Sequence, residues 1–365
     1  MNYSKKLFHK EHKDYIVDYK PGKIRMKNSE MIFLGKMFHY KNVKEKEEGE
    51  GEEEYLFLLT KNNLYYLKDK VTMNSGEIFF SYIAKVHIAW LKMSYLFDRK
   101  KESGKYYMAL SNSKKKVIYR VESEKELKCW KNLISPFVLQ NNFLKKYNIL
   151  KPLACGSTCC AYIVEDKKTK KIFACKRFKK EGICNEVYAK LVKEITMLRQ
   201  FRDHPNVCKI HSVYESENSI YLVSEYCEGG KLFNLEEPVS LDKICFLINS
   251  FLKILRFFRD KKIIHGNLFF EKILLKYKDV PLTQNTITLI NFKRARGEKD
   301  ADPVAFNYQR DIQKIGEILF MAVTGKSRVY IETKILENNQ INKNRKTMFL
   351  ESLKDLPLER KLNSS

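Results

Sequence analysis

The chain has 365 residues, 44% of them hydrophobic and 13% aromatic, which suffices for two or three folded domains and argues against a disordered polypeptide. Its formal net charge is +25, but the lysines are spread over the whole sequence rather than gathered in one basic stripe, so nucleic acid is not expected as a partner. The charge suits an acidic protein partner or weak contact with an anionic membrane surface. No apolar run reaches the roughly 20 residues that cross a bilayer and no secretory leader is visible, which predicts a cytoplasmic protein, peripheral to a membrane at most.

The nine cysteines are predicted to be reduced thiols, as expected of a cytoplasmic chain. Cys155, Cys159 and Cys160 cluster, but no histidine or second cysteine pair stands near them at a metal-binding spacing. We therefore predict no metal site and interpret these residues as small buried side chains.

Residues 1–30 show no regular period and are interpreted as a polar N-terminal extension. The pattern then becomes typical of β-strands separated by polar turns. Strands are predicted at 31–38, 55–60, 63–69, 85–93, 106–111 and 117–121, followed by a helix over 123–138. One face of that helix carries Leu127, Trp130, Leu133 and Ile134. Trp130 is therefore interpreted as a core residue.

A small antiparallel β-barrel or sandwich that ends in one tryptophan-bearing helix resembles a pleckstrin-homology domain, over residues 31–138. The resemblance implies a phosphoinositide site built from cations at the end of the first strand and around the following loop. Here Lys36 is kept, but Tyr55 stands where the family's arginine is expected, and residues 44–54 are rich in glutamate. Because carboxylates repel phosphate, tight headgroup binding at this site is not expected. The acidic loop is interpreted as solvated, with docking onto a basic face as the alternative.

Residues 141–147 form only a short bridge, so the first domain is expected to pack against the next domain of the chain. After the bridge come two strands joined by a small-residue turn around Gly156, and then a strand that carries a lone Lys176. This arrangement suits backbone amides that cover a nucleotide's phosphates and an ammonium group that grips them.

Four further motifs lie along the rest of the chain. They are His-Pro-Asn at 204–206, Tyr-Leu-Val-Ser-Glu-Tyr-Cys-Glu-Gly-Gly at 221–230, Ile-Ile-His-Gly-Asn at 263–267 and Leu-Ile-Asn-Phe-Lys at 289–293. With the strands before them, these motifs resemble the eukaryotic protein kinase family over residues 147–325. The resemblance implies a multidomain α+β protein whose second part has a two-lobed fold with a defined cleft. The expected boundaries are 143–365 for this kinase-like domain, 143–225 for a β-rich N-lobe and 231–365 for a reduced helical C-lobe, in which 349–362 is expected to be a late helix.

The resemblance assigns roles to the residues that match the family pattern. Nucleotide binding is implied for Gly156, Ala174, Lys176, Glu194, Glu225 and Cys227. Lys176 and Glu194 are expected to form an ion pair, which the sequence leaves open as a purely structural one. Packing roles are implied for Leu198, His265 and Phe292, and Asp311 is expected to anchor the catalytic loop through its backbone.

The groups that would transfer a phosphate are replaced, so no catalytic residue is intact. The resemblance places Asn267 at the base, Phe269 at a phosphate-contacting lysine, Lys272 at a metal-binding asparagine and Asn291 at a metal-binding aspartate. An ammonium group at residue 272 would oppose magnesium. The stretch from Asn291 to Asp311 is also too short for the family's usual peptide-binding platform.

We therefore predict a catalytically inactive protein kinase homologue, a pseudokinase, that serves as a scaffold or allosteric regulator in cytoplasmic signalling. Its expected cofactor is none, or ATP bound without magnesium. The first alternative is an active, divergent Ser/Thr kinase that uses ATP and magnesium, with Asn267 and Asn291 as weak ligands. The second alternative is a peripheral membrane adaptor whose kinase-like half is a stable spacer.

Overall fold

The computed structural model describes most of the chain between residues 17 and 325. The described ranges are 17–18, 20–40, 52–68, 70–88, 91–97, 106–112, 116–156, 158–181, 183–232, 239–298 and 308–325. The chain divides into two compact units. The first unit comprises residues 1–228 and 288–294, and the second comprises residues 229–287 and 295–365. Among the described residues, no helix combines the length and the apolar character needed to cross a membrane.

The first unit begins with antiparallel strands and one helix, here called the N-terminal β region (residues 17–134). Its strands are β1 Val17–Asp18, β2 Gly22–Lys27, β3 Met31–Tyr40, β4 Glu52–Thr60, β5 Asn63–Leu67, β6 Thr72–Asn74, β7 Glu77–His87, β8 Lys92–Phe97, β9 Tyr106–Ser111 and β10 Lys116–Val121, and its helix is α1 Glu124–Ile134. The described strands follow the order β1-β7-β5-β4-β3-β10-β9-β8, and β2 and β6 also pair with β7. The barrel or sandwich closure stays a prediction.

Two details of this region differ from the sequence-based expectation. Strands β1 and β2 lie inside the segment interpreted as a polar extension, and β2 pairs with β7 from Gly22↔Tyr82 to Lys27↔Glu77. The single strand predicted at 85–93 is wrong, because β7 ends at His87 and β8 begins at Lys92. Ile88 and Leu91 in the connection are buried, so no polar turn marked the break.

Helix α1 is fixed at its start by a cap and along its length by packing. The Ser123 hydroxyl accepts a hydrogen bond from the backbone N–H of Glu126 at 3.2 Å, which satisfies one of the free N–H groups of the first turn. Trp130 is 2% exposed, and the Phe33 ring meets it edge-on at 4.8 Å between centroids. A Cβ atom at Gly35 would come within 2.6 Å of the Phe33 ring, so this close packing requires glycine.

A two-residue strand joins the N-terminal β region to the strands of the N-lobe. Strand β11, Leu139–Gln140, pairs in parallel with β8 at Leu139↔Lys92 and with β15, Ile210–Glu215, at Leu139↔Val213. One continuous sheet of the first unit therefore runs from the N-terminal β region into the N-lobe.

The N-lobe contains five antiparallel strands and a long helix. These elements are β12 Tyr147–Cys155, β13 Cys160–Asp166, β14 Ile172–Lys179, α3 Asn185–Gln200, β15 Ile210–Glu215 and β16 Ser219–Glu225, with the short helix α2 Phe143–Lys146 before them. Their order in the sheet is β15-β16-β14-β13-β12, so β14 has a strand on each side. The predicted domain boundaries stay a prediction, but the N-lobe is β-rich as expected.

The second unit is mainly helical. Its elements are β17 Gly230–Lys231, α4 Leu241–Asp260, β18 Ile263–Ile264, β19 Ile273–Leu275, β21 Arg296–Gly297 and α5 Gln309–Thr324, while β20 Ile287–Leu289 lies where the chain passes between the units. Helix α4 buries Leu247, Phe251, Ile254 and Phe258, whose spacing of three and four residues forms one helical face. Helix α5 ends at Gly325, which takes the left-handed conformation common at helix ends. The helix predicted at 349–362 lies outside the described residues.

Candidate nucleotide site and catalytic loop

Lys176 and Glu194 form an ion pair inside the first unit. Lys176 lies on the central strand β14, opposite Ala161 on one side and Leu222 on the other. Its Nζ donates to Oε1 of Glu194, which is buried on helix α3. Burial opposes the charged form of Lys176, but the Glu194 carboxylate outweighs burial and raises the pKa of Lys176. The ammonium group therefore stays charged at neutral pH and can attract an anion.

The turn that would cover phosphates joins β12 to β13. Gly156 donates its N–H to the Cys159 carbonyl at 2.9 Å, and Cys155 lies directly opposite Cys160. The sulfur atoms of Cys155 and Cys160 are bonded to each other, so the prediction that all nine cysteines are reduced is wrong for this pair. A Cβ atom at Gly156 would make only an ordinary contact with the Cys159 carbonyl, at 3.8 Å.

The hinge segment begins at the end of strand β16. Ala174 on β14 pairs with Ser224, which places Ala174 beside the end of β16 where the hinge begins. The Glu225 carboxylate accepts a hydrogen bond from the N–H of Lys209 at 2.8 Å, and the Glu225 N–H donates to the Lys209 carbonyl at 2.9 Å. Glu225 thus anchors the hinge to the start of β15. Cys227 is buried.

The segment around Asn291 is held by Asn206 of the His-Pro-Asn motif and by Cys208 just after the motif. Leu289 accepts from the N–H of Cys208 at 3.0 Å and donates to the carbonyl of Asn206 at 2.8 Å. Asn291 has a φ of +70°, a left-handed conformation that asparagine adopts more readily than most residues. Its Oδ1 is buried and has no hydrogen-bond partner among the described residues. Phe292 is fully buried, 6.4 Å from the ring of Phe201 at the end of α3.

The loop of the second unit that is predicted to match a catalytic loop is held by Asp311. This buried carboxylate of α5 accepts hydrogen bonds from the N–H groups of His265 at 2.6 Å and Gly266 at 3.0 Å. Burial raises the pKa of Asp311, and the two N–H groups only partly offset it. His265 is buried and stacks near Phe258 of α4, with centroids 6.2 Å apart. The backbone is therefore fixed up to the residue before Asn267.

The side chains that come after this anchor are an amide, an aromatic ring and an ammonium group. Asn267 is half-buried, and its amide accepts no proton at neutral pH. Phe269 is 37% exposed, with the ammonium of Lys314 at 4.8 Å from its ring centroid. The N–H of Lys272 donates to the Phe269 carbonyl at 2.9 Å, within a short 3-10 turn.

The residues present fit magnesium poorly and fit phosphate in part. Magnesium prefers oxygen ligands, usually carboxylates with water and phosphate oxygens. In the first unit Asn291 offers one amide oxygen instead of a carboxylate, and in the second unit Lys272 carries a positive charge. Within the described ranges, no three His, Cys, Asp or Glu side chains cluster closely enough to hold a metal ion. Lys176 is a suitable phosphate partner because its charge is sustained by Glu194.

Several buried charged residues of the first unit were not singled out from the sequence, among them Arg199 and Glu215. Arg199 on α3 and Glu215 on β15 are 5% and 6% exposed, and both are engaged by groups distant in the chain. Arg199 stands four residues after the buried Ile195, so a charged residue on the apolar face of α3 was the available signal.

Residues 147–300 match the family model of the protein kinase domain. The chain therefore contains a protein kinase domain with a β-rich N-lobe and a helical portion.

Several curated protein kinases are similar to about half of the chain. Death-associated protein kinase 2 of Mus musculus is 28% identical over 216 residues, 52% of this chain and 57% of the relative. A probable myosin light chain kinase of Dictyostelium discoideum is 29% identical over 195 residues, 53% of this chain and 54% of the relative. Calcium-dependent protein kinase 24 of Oryza sativa subsp. japonica is 26% identical over 211 residues, 53% of this chain and 41% of the relative. The chain spans less than two thirds of each of these relatives.

Proposed function

We propose that this protein is a catalytically inactive protein kinase homologue, a scaffold or allosteric regulator of cytoplasmic signalling, which holds ATP without magnesium. The observation that carries the proposal is the catalytic loop. Asp311 fixes its backbone through His265 and Gly266, but the next side chain is the amide of Asn267. A loop whose backbone is anchored but which lacks the catalytic base is suited to binding rather than to phosphoryl transfer.

Charge at the metal positions supports the same proposal. Phosphoryl transfer depends on cations that neutralise the developing charge, and carboxylates normally hold these cations. Here Asn291 replaces the metal-binding aspartate of the kinase pattern, and Lys272 replaces the metal-binding asparagine. The positive charge of Lys272 repels a divalent ion. An ammonium group can itself contact phosphate, which would make binding independent of magnesium.

A thermal-shift titration with ATP, in magnesium and in EDTA, tests both parts of the proposal. The wild-type protein should be stabilised equally in the two buffers, and Lys176→Met should abolish the shift. Lys179→Met is the matched control, because Lys179 is an exposed residue at the end of the same strand. Magnesium-dependent stabilisation together with transfer of labelled γ-phosphate would overturn the proposal. If millimolar ATP gives no stabilisation, the nucleotide-binding part of the proposal is wrong and only the scaffold part remains.

An active, divergent Ser/Thr kinase is the second candidate. The observations that favour it are the formed Lys176–Glu194 pair, the anchored catalytic loop and the names of the matched relatives, all of which are protein kinases. Under this candidate, phosphate transfer requires magnesium and stops in Lys176→Met.

For the N-terminal β region we propose a pleckstrin-homology-like domain that binds a protein partner. Lys36, the cation kept from the phosphoinositide pattern, is paired with Glu54 at 3.2 Å, and both side chains are exposed. This pairing reduces the attraction for an inositol phosphate. A peripheral membrane adaptor is the competing proposal, and cosedimentation with anionic vesicles at rising salt distinguishes the two.

A further inference from the structure

The side chain of Arg199 connects helix α3 to the short segment between α1 and β11, which directly follows the N-terminal β region. Arg199 is the penultimate residue of α3 and is buried. Its Nε donates to the Pro136 carbonyl at 2.9 Å, and its Nη2 donates to the Val138 carbonyl at 3.1 Å. Both carbonyls belong to the short segment between α1 and β11. Burial lowers the pKa of Arg199 to about 9, so the guanidinium is still charged at neutral pH and its hydrogen bonds are charge-assisted.

A second contact holds the same end of the helix. Lys61, in the turn between β4 and β5, donates from Nζ to the Gln200 carbonyl at 3.2 Å and pairs with Asp203 at 2.5 Å. A cation at the C-terminal end of a helix is favoured by the helix dipole. The guanidinium of Arg202 also lies 5.3 Å from the ring centroid of Phe137. Three cationic side chains therefore join the end of α3 to the N-terminal β region and to the segment between α1 and β11.

An ion pair of the buried Glu215 also joins the N-terminal β region to the N-lobe. Glu215 of β15 is buried between Lys92 of β8, at 2.9 Å, and Lys180 just after β14, at 2.8 Å. Lys92 and Glu215 lie on β8 and β15, the two strands that β11 joins in the continuous sheet. The N-terminal β region and the N-lobe are thus joined by buried charges and by backbone hydrogen bonds.

Glu194 lies five residues before Arg199 on the same helix, about 7.5 Å along its axis. A regular helix moves nearly as a rigid rod, so a displacement at Arg199 also displaces Glu194. We propose that Arg199 is a positioning residue through which the segment between α1 and β11, which directly follows the N-terminal β region, braces helix α3 and so sets the Lys176–Glu194 pair. This inference goes beyond the proposed function, because it holds whether or not the pocket binds nucleotide.

Acylation of Lys176 by acetic anhydride, read by peptide mass spectrometry across pH, tests the proposal. The titratable groups that face Lys176 are Glu194 on α3, Cys159 in the hairpin turn and Cys208 before β15. Without Glu194 the effect of burial remains, which lowers the pKa of Lys176 and raises the reactive fraction. A drop of one pKa unit gives roughly tenfold faster acylation at a pH below both values. We expect roughly this gain in Glu194→Gln and about a threefold gain in Arg199→Met.

Controls separate this brace from a general loss of structure. Lys190→Met removes an exposed cation of the same helix, which pairs only with Glu186 on the helix itself among the described residues, and should leave the rate unchanged. Lys61→Met should give a smaller gain than Arg199→Met. A folded Arg199→Met protein with the wild-type rate would overturn the proposal, as would an unchanged rate in Glu194→Gln. If Arg199→Met does not fold, Lys61→Met decides by the same measurement, and an unchanged rate there overturns the proposal.

Discussion

Lys176 in the first unit is predicted to contact nucleotide, and Lys272 in the second is predicted to replace a metal-binding asparagine, and their surroundings differ. Lys176 is paired with the buried Glu194, and the pair is held between strand β14 and helix α3. Lys272 lies in a short 3-10 turn, and within the described ranges no carboxylate pairs with it. The first lysine has kept its partner, whereas the second has replaced a metal ligand.

The difference shows which part of the kinase pattern this chain retains. Polar contacts that fix the backbone or a helix are present in both units, namely Glu194 in the first and Asp311 in the second. Groups that would hold magnesium or accept a proton are replaced. Under the proposed function, these residues bind an anion without transferring a phosphate.

The largest loss of stability is expected when the buried ion pairs of Glu215 in the first unit are removed. Glu215→Ala leaves the side chain of Lys180, which is 6% exposed, buried without its carboxylate, and should cost about 3–5 kcal/mol of unfolding free energy. Burial opposes the charged form of Glu215, but Lys180 and Lys92 outweigh burial and lower its pKa. The wild-type contribution is therefore full above the ordinary carboxyl pKa and is lost as the pH falls through the lowered value.

Urea unfolding of Glu215→Ala at pH 7 and at acidic pH measures this effect. The difference from wild type should shrink as the pH falls. Glu217→Ala, which removes an exposed carboxylate from the following turn, should lie within about 0.5 kcal/mol of wild type. A cost for Glu215→Ala that does not change with pH would show that packing, not charge, is responsible.

The corresponding change in the second unit is Asp311→Ala. It leaves the N–H groups of His265 and Gly266 without their buried acceptor, and should cost about 3 kcal/mol. Hydrogen exchange at residues 263–267 should accelerate more than exchange in β14 of the first unit. Asp242→Ala, at an exposed position in α4, is the control. Equal acceleration in both units would mean that Asp311 supports the whole fold rather than the loop.

Restoring the residues that the kinase pattern expects at 267, 272 and 291 tests whether their replacement prevents magnesium binding. The triple variant Asn267→Asp, Lys272→Asn and Asn291→Asp should acquire magnesium-dependent ATP binding, with affinity at least tenfold higher in magnesium than in EDTA, about 1.4 kcal/mol. Isothermal titration measures both values. Lys272→Gln alone is the control, since it removes the repulsion without adding a carboxylate. A wild-type protein that already prefers magnesium to this extent would contradict the comparison.

Elements with a strong local pattern could be predicted from the sequence. Strand β9, Tyr106–Ser111, has the predicted bounds, and α1 lies within the predicted helix. Strand β2 was missed because only Ile24 and Met26 alternate with its cations, too short a pattern to stand out. The order of the short motifs was sufficient for the kinase domain, because each occupies a fixed place along that fold.

Contacts that depend on distant backbone atoms could not be predicted. The acceptors of Arg199 are the backbone carbonyl groups of Pro136 and Val138. Every residue has such a carbonyl, so the sequence does not show which one accepts a hydrogen bond. Pairing of Cys155 with Cys160 required the register of the β12–β13 hairpin, which their spacing in the chain does not fix. Sequence patterns thus predicted the kinase domain but not these contacts between distant residues.

The smallest expected effect tests whether replaced residues of the second unit have become structural. The ammonium of Lys314 lies over the ring of Phe269, so Phe269→Ala should cost about 0.5–1 kcal/mol through the lost cation–π contact. A double-mutant cycle with Lys314→Ala isolates this coupling, although Lys314 also pairs with Glu317 at 2.6 Å. Unfolding free energies of the four proteins give the coupling energy. A value near zero would mean that Phe269 packs without help from Lys314, so the ring would owe its place to its apolar contacts and not to the cation.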